Sequence, residues 1–149
     1  MEFRIQPFDR MTPAELHAAA RLRQAVFYLE QRVDCEDLDD LDPHCLFLRA
    51  VGNGETIGVL RIVPPGVIRA EASIGRVAVA SQHRRRGVAR AMMRAALDYI
   101  GRTWGTPVCI SAQSHLVPFY RQLGFEAVSD VYLEAGIPHR KMILEKWHA

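Results

Sequence analysis

Apolar and polar positions follow one another along this chain in blocks whose period changes, and each change marks an element. Residues 3–7 (FRIQP) read as a short first strand. TPAE at 12–15 is a helix start. Thr12 can cap, Pro13 has a preset φ for the first helical position, and Glu15 can reach back as the capping-box acid. Leu16, Ala19, Ala20 and Leu22 carry that helix, and a further apolar stretch, VFYLE, follows at 26–30. After Pro43 the pattern becomes that of strands. CLFLRAV (45–51) and TIGVLRIV (56–63) flank GNGE, where Asn53-Gly54 supplies the positive-φ pair that a tight hairpin turn wants. A Pro-Gly loop (64–66) leads to a third extended run, SIGRVAVA (73–80).

The helical period returns over 88–101 (VARAMMRAALDYIG). Val88, Met92, Ala95, Ala96 and Tyr99 form an apolar stripe, while Arg90, Arg94, Asp98 and Arg102 repeat on the opposite face. VCISA (108–112) is another strand. A short helix around 116–123 ends at Gly124, and Pro118, tolerable only in a first turn, sets its start near 115–117. Two last strands, 126–133 and 137–145, are joined by Glu134-Ala135-Gly136. Strands first, then helix alternating with strand, predict an α/β or α+β sheet with helices packed on it. With no repeat, low-complexity tract or linker, residues 1–149 read as a single domain.

Composition narrows the class. Apolar residues make up 49% and charged residues 24% of the 149, an ordinary globular balance that argues against disorder. A chain of this length hides on the order of 70% of its unfolded surface, so neither a disulfide nor a metal is needed to hold it. Cys35, Cys45 and Cys109 are an odd number without a framework spacing, and the six histidines show no ligand spacing, so no metal is expected. The start lacks the apolar core of a signal peptide, and no apolar run approaches the roughly 20 residues that span a bilayer. A reduced, soluble, cytoplasmic protein is the expectation, with no membrane partner.

Charge adds a division within the chain. Nineteen bases against 17 acids leave a net +2, which argues against a protein made for bulk nucleic acid. The two signs are nevertheless segregated. Residues 34–42 (DCEDLDDLD) hold six acids in nine positions, a crowding that reads as a loop. Arg84, Arg85, Arg86, Arg90, Arg94 and Arg102 form the opposite pole.

The stretch GRVAVASQHRRRGVARAMM (75–93) carries the chemistry. A strand runs into a basic turn with a Gly, and a helix begins at once. Unpaired N–H groups at a helix N-terminus, at the positive end of its dipole, suit a phosphate or pyrophosphate. Gly87 lets the backbone approach the anion, Ala89 leaves room, and Arg84 to Arg86 add charge. Taken alone, the same residues also read as a solvated basic turn ahead of a surface helix.

Residues 75–93 closely resemble the central motif of the GCN5-related N-acetyltransferase (GNAT) family, with Arg84, Gly87 and Ala89 at its fixed positions. VCISAQSHLVPFYRQLGFEAV (108–128) resembles the family's strand–helix–strand motif, with FYRQLGF (119–125) at its aromatic, Tyr, Gly, Phe signature. Residues 22–31 (LRQAVFYLEQ), the acidic loop and HCLFLRAV are similar to the ElaA-like subgroup. The resemblance implies a mixed, mostly antiparallel twisted sheet of about six to seven strands flanked by about four helices. It also implies an N-acetyltransferase that moves an acetyl group from acetyl-CoA to a primary amine, on a small molecule or a protein, by direct attack.

Carried over by residue, the resemblance gives the pantetheine arm the backbone of Val77, Ala78 and Val79. It gives the pyrophosphate residues Arg84, Arg85, Arg86, Gly87, Val88 and Ala89. Tyr120 becomes the proton donor to the leaving sulfur; the other reading is a half-buried helical aromatic with its hydroxyl satisfied elsewhere. His139, before the last apolar strand, is the candidate base, against a surface His at a strand start, with Glu30 and a water chain as rivals. Glu30, Ser111 and Gln113 are the candidate acceptor contacts. The acidic loop reads either as a lure for a cationic amine or as a solvated loop. Other functions stand beside this one: an acyl-homoserine-lactone-synthase-like acyltransferase, a non-catalytic acyl-CoA-binding module, and a nucleic-acid module using Arg84 to Arg94. A homodimer is open on sequence.

Overall fold

In the computed structural model, which describes residues 1–149, the hairpin at Asn53-Gly54 sits in the middle of one mixed sheet. Its strands are β1 (Glu2–Pro7), β2 (Leu46–Gly52), β3 (Glu55–Val63), β4 (Ala72–Val79), β5 (Val108–Gln113), β6 (Glu126–Ala127), β7 (Tyr132–Glu134) and β8 (Ile137–Leu144). The order across the sheet is β1-β2-β3-β4-β5-β8-β6, with β7 also on β8. Every pairing is antiparallel except that of β4 with β5. Asn53 and Gly54 take φ of 52° and 78°, as the turn requires.

Three α-helices flank the sheet: α1 (Pro13–Arg23), α2 (Val88–Thr103) and α3 (Val117–Arg121). The capping box at Thr12 and Glu15 forms in both directions. The VFYLE stretch is no separate helix. It continues α1 as a π-helical segment, Gln24–Glu30, until Arg32 turns left-handed at φ 58°. That continuation is why three helices stand where about four were expected.

Alternation along the inner strands divides the core between two faces. Leu48, Leu60 and Ile62 cluster with α2, while Phe47, Val59 and Val63 cluster with Ala19, Leu22 and Val26 of the α1 side. Seven consecutive residues of β3, Ile57 to Val63, are buried, because this strand is covered on both faces. Gly58 has no Cβ, which lets Met92 of α2 lie against the strand. The buried face of α2 is Val88, Met92, Met93, Ala96, Leu97 and Ile100. Ala95 and Tyr99, placed in the stripe from sequence, are only half-buried. The buried face of α2 is thus centred on the Met93 and Leu97 side of the helix.

The expected strand 126–133 is interrupted. β6 and β7 are two pieces of one edge on β8, separated by residues 128–131. There the Ser129 hydroxyl accepts the Lys141 N–H at 2.9 Å, taking the place of a ladder carbonyl. Breaking one strand in two brings the count to eight.

Arginines interrupt the apolar strands and fix what lies over the α1 face. Arg49 of β2 donates to Glu15 at 2.6 Å. Arg61 of β3 and Arg23 of α1 both donate to Oδ1 of Asp42, each at 2.9 Å, and all three residues are buried. Arg61 also binds Asp39, and Arg76 of β4 binds Asp37 and Asp39. The acidic segment is thus a loop, as its composition demands, but a stapled one. Burial alone would raise the Asp39 carboxyl; the hydrogen bond and charge of Arg61 and the charge of Arg76 outweigh it and hold it below the ordinary value. Its contribution is therefore complete above the ordinary carboxylate pKa of about 3.9 and is lost as pH falls through the lower folded value.

Replacing Asp42 by Ala leaves two buried guanidinium groups without their shared anion. Urea denaturation is expected to show a loss of about 3–5 kcal/mol.

Candidate active site

β4 and β5 touch at one end only. Ala72 pairs with Val108 and Ser73 with Cys109; beyond these the two parallel strands separate. One edge of β4 therefore faces a gap from Ile74 to Val79, while its other edge stays bonded to β3. The β3 ladder skips from Val59–Ala78 to Arg61–Gly75, so β4 carries a bulge, and Arg76 within it takes φ 52°. The bulge turns the Arg76 side chain onto the acidic loop.

At the far end of β4 the chain makes a 3-10 turn (Ser81–His83) and enters α2. Arg85 and Gly87 take φ of 62° and 77°, and Gly87 is the N-cap without any side-chain cap. The N–H groups of residues 85–90 find no acceptor within the chain; the first bond of the helix is Ala91 N–H to Gly87 carbonyl, 3.0 Å. Alternating backbone hand with free N–H groups at a helix start is an anion nest. A Cβ on Gly87 would meet nothing within 4 Å, so the nest opens outward.

The arginines of this turn are not equivalent. Arg84 is bound to Glu30 through both Nη atoms, at 2.5 and 2.7 Å, and its Nε donates to the Val79 carbonyl at 3.1 Å. The hydrogen bond and charge of Arg84 hold the Glu30 carboxyl below its ordinary range. Glu30 is thus occupied, and it lies outside the cavity that gathers the other acceptor-side residues, which puts it away from both sequence-derived roles. Arg90 is bonded to Gln122. Arg85 and Arg86 are exposed.

The gap between β4 and β5 opens into a cavity of about 410 Å³. Val77, Ser111, Gln113, Tyr120 and His139 all line it, together with Arg69, Arg76 and Glu134. Tyr120 comes from α3, which starts at Val117 with Pro118 in its first turn. Gly124, at φ 104°, and the Phe125 N–H bond to the Tyr120 carbonyl close that helix. Edge-on contacts with Phe119 and Phe125 fix the ring. Tyr120 is 8% exposed, and burial pushes its phenol up to about 12. The Tyr120 hydroxyl has no partner in the chain and is left to the cavity.

Across from Tyr120 lies a set of residues at the β7–β8 hairpin. His139 is buried; its Nδ1 is 2.7 Å from the Ile137 carbonyl, its Nε2 is 3.4 Å from Glu134 Oε2, and Tyr132 stacks on its ring. A carbonyl only accepts, so Nδ1 carries a proton, and Nε2 is the ring nitrogen turned toward the Glu134 carboxylate. Ser111 lies 2.5 Å from the Tyr132 hydroxyl and donates to Glu134 at 3.0 Å. Gln113 donates to Gln31, tying β5 to the end of the π-helical segment. Glu134 stands beside the tight turn two pairs from His139 and on the same face of the hairpin, and that spacing is the signal the sequence offers for it.

Two of the three cysteines are buried, and Cys35 is exposed at the cavity wall. Cys109 is fully buried, and burial pushes the Cys45 thiol up to about 11.

Residues 17–146 match a family model described as an acetyltransferase (GNAT) domain. The chain is 34% identical over 149 residues to a UPF0039 protein of Schizosaccharomyces pombe, with 97% of each chain covered. It is 34% identical to the protein ElaA of Escherichia coli, covering 92% of each. The crystal structure of Escherichia coli ElaA superposes with a TM-score of 0.89 at 32% identity, over 97% of this chain and 99% of that one. The crystal structure of an acyl-CoA N-acyltransferase from Pseudomonas aeruginosa gives a TM-score of 0.90 at 36% identity, over 95% and 97%.

The burial of Tyr120 has a direct optical test. At about pH 11, a unit below its pKa, Tyr120→Phe should match the wild type in phenolate absorbance to within about a tenth of one tyrosine.

Proposed function

The chain belongs to the GNAT acetyltransferase family and is an acyltransferase; from that premise we propose that it transfers an acetyl group from acetyl-CoA to a primary amine. The observation that carries this reading is the bare edge of β4 running into the uncapped N–H nest of residues 85–90, with the unpartnered Tyr120 hydroxyl in the gap beside it. Acetyl-CoA supplies an activated carbonyl and a thiolate leaving group when bound.

The residues fit such a donor. Main-chain groups of Val77, Ala78 and Val79 would pair with its amide-bearing arm as an added strand does. The N–H groups of residues 85–90 would hold the pyrophosphate, with Arg85 and Arg86 free to add charge, while Arg84 holds the turn through its bonds to Glu30 and to the Val79 and Ser81 carbonyls. Tyr120 donates toward the leaving sulfur. With its phenol near 12 and an ordinary thiol near 8.5, Tyr120 offers a strong hydrogen bond to developing negative charge more than a completed transfer. His139 Nε2 receives the proton of the acceptor's ammonium group, and the Glu134 carboxylate beside it stabilises the imidazolium formed. Ser111 and Tyr132 orient Glu134.

All three cysteines are free, which supports a reducing cytoplasmic setting. No helix is long and apolar enough to cross a membrane.

Acetyl-CoA at a hundredfold excess over its Kd is expected to raise the melting temperature by about 5 °C or more. Gly87→Glu should lose that shift, because it puts a carboxylate in front of the nest; an undiminished shift would remove the nest from the donor site. Tyr120→Phe should keep the shift while kcat falls about hundredfold. Unchanged turnover across the pH range would end the role given to Tyr120.

A further inference from the structure

Three arginines line the cavity: Arg61, Arg69 and Arg76. Two are neutralised in place, Arg61 by Asp39 and Asp42, Arg76 by Asp37 and Asp39. Arg69 is different. It rises from the loop between β3 and β4, is half-buried, and has no carboxylate partner. Its Nη1 lies 2.8 Å from the Cys109 sulfur, and its Nε, like that of Arg61, is buried without a hydrogen-bond partner. A thiol is a weak acceptor for a group with five donors. A guanidinium held this way, at the wall of a reaction cavity, lacks the anion that its two neighbours have.

The position of that charge relative to the amine site is set by β5. Cys109, which Arg69 touches, and Ser111, which holds Glu134, are two residues apart on one face of the strand, about 7 Å. Ser73, the register partner of Cys109, lies on that same face and lines the cavity with a hydroxyl. Arg69, Glu134 and His139 line the same cavity, so an acceptor whose amine meets the Glu134–His139 pair and whose carboxylate meets Arg69 would occupy it with both of its charges answered. We infer that Arg69, with Ser73 beside it, binds a carboxylate of the acceptor, so that the acceptor is a free amino acid or a close analogue. This rests on the acetyltransferase reading and names its substrate class.

The same geometry disfavours the alternatives. A polyamine would bring a second cation against Arg69 with no anion between them. A peptide N-terminus carries a neutral amide carbonyl where the carboxylate should be. Both lack the group that a charge-assisted bidentate contact requires.

Matched acceptors test the assignment. Acetyl transfer to free amino acids is compared with transfer to their amides and to the corresponding decarboxylated amines, following free CoA thiol. The carboxylate form should lead each set by at least about tenfold in kcat/KM, the worth of one charge-assisted hydrogen bond. Arg69→Gln should bring that ratio close to one, chiefly through KM, and Arg69→Lys should restore part of it. Ser73→Ala should lower the ratio to a smaller extent. Each variant must keep the acetyl-CoA melting shift, which shows that it is folded and loads its donor. Equal rates within a set in the wild type, or a ratio that survives Arg69→Gln, overturns the assignment while leaving acetyl transfer intact. No acetyl-CoA shift, or no transfer to any amine, overturns the acetyltransferase reading as well.

Discussion

One carboxylate oxygen does the most to organise this molecule. Oδ1 of Asp42 accepts from Arg23 of α1 and from Arg61 of β3, so a helix and a strand from different layers share one buried anion. Taking three ionised groups out of water is unfavourable, and their mutual attraction recovers it only with close geometry and further partners. Those partners are Asp37 and Asp39, which also reach Arg76 of β4. The network therefore closes on the loop, and the loop forms one wall of the cavity through Val33, Cys35 and Leu41. A segment too acidic to fold by itself is placed by three arginines, two of which, Arg23 and Arg61, are buried where no apolar pattern would have put them.

The opposite wall depends on a different constraint, the separation of β4 from β5. Two parallel pairs hold the strands together, and the bulge at Arg76 bends β4 away while aiming its side chain at Asp37 and Asp39. The same bulge thus opens the gap and staples the loop that closes over it. On the far side, Tyr120 reaches the gap from α3, whose short length and closing glycine leave the ring wedged between Phe119 and Phe125. Tyr120 reaches the cavity from α3, whereas Glu134 and His139 reach it from the β7–β8 hairpin.

Local signals in the sequence were legible because they rest on backbone chemistry. Thr12 with Glu15, Asn53-Gly54, Gly87 ahead of α2 and Gly124 after α3 each announce a specific torsion or cap, and each forms. Long-range pairing was not legible. Arg61 looks like an interruption in TIGVLRIV, and nothing local says that it meets Asp42. The six carboxylates of the loop suggested an attractive field for a cation, whereas Asp37, Asp39 and Asp42 are consumed by arginines and Asp34, Glu36 and Asp40 remain exposed. Glu30 could be read as a free acid because Arg84, which binds it, is 54 residues away. The edge strand at 126–133 was read as continuous because a serine hydroxyl that replaces a carbonyl leaves no trace in an apolar pattern.

The nest ahead of α2 is built from main-chain N–H groups, and this has a consequence for how such a site can change over time. The side chains of Arg85 and Arg86 are exposed and can be exchanged without removing a main-chain donor. What must be inherited is a path of the backbone, fixed by the left-handed turn at Gly87 and by the anchoring of Val88 in the core. Two descendants of this chain could therefore share the site while sharing few of its residues, and a comparison that weighed charged side chains alone would miss their kinship.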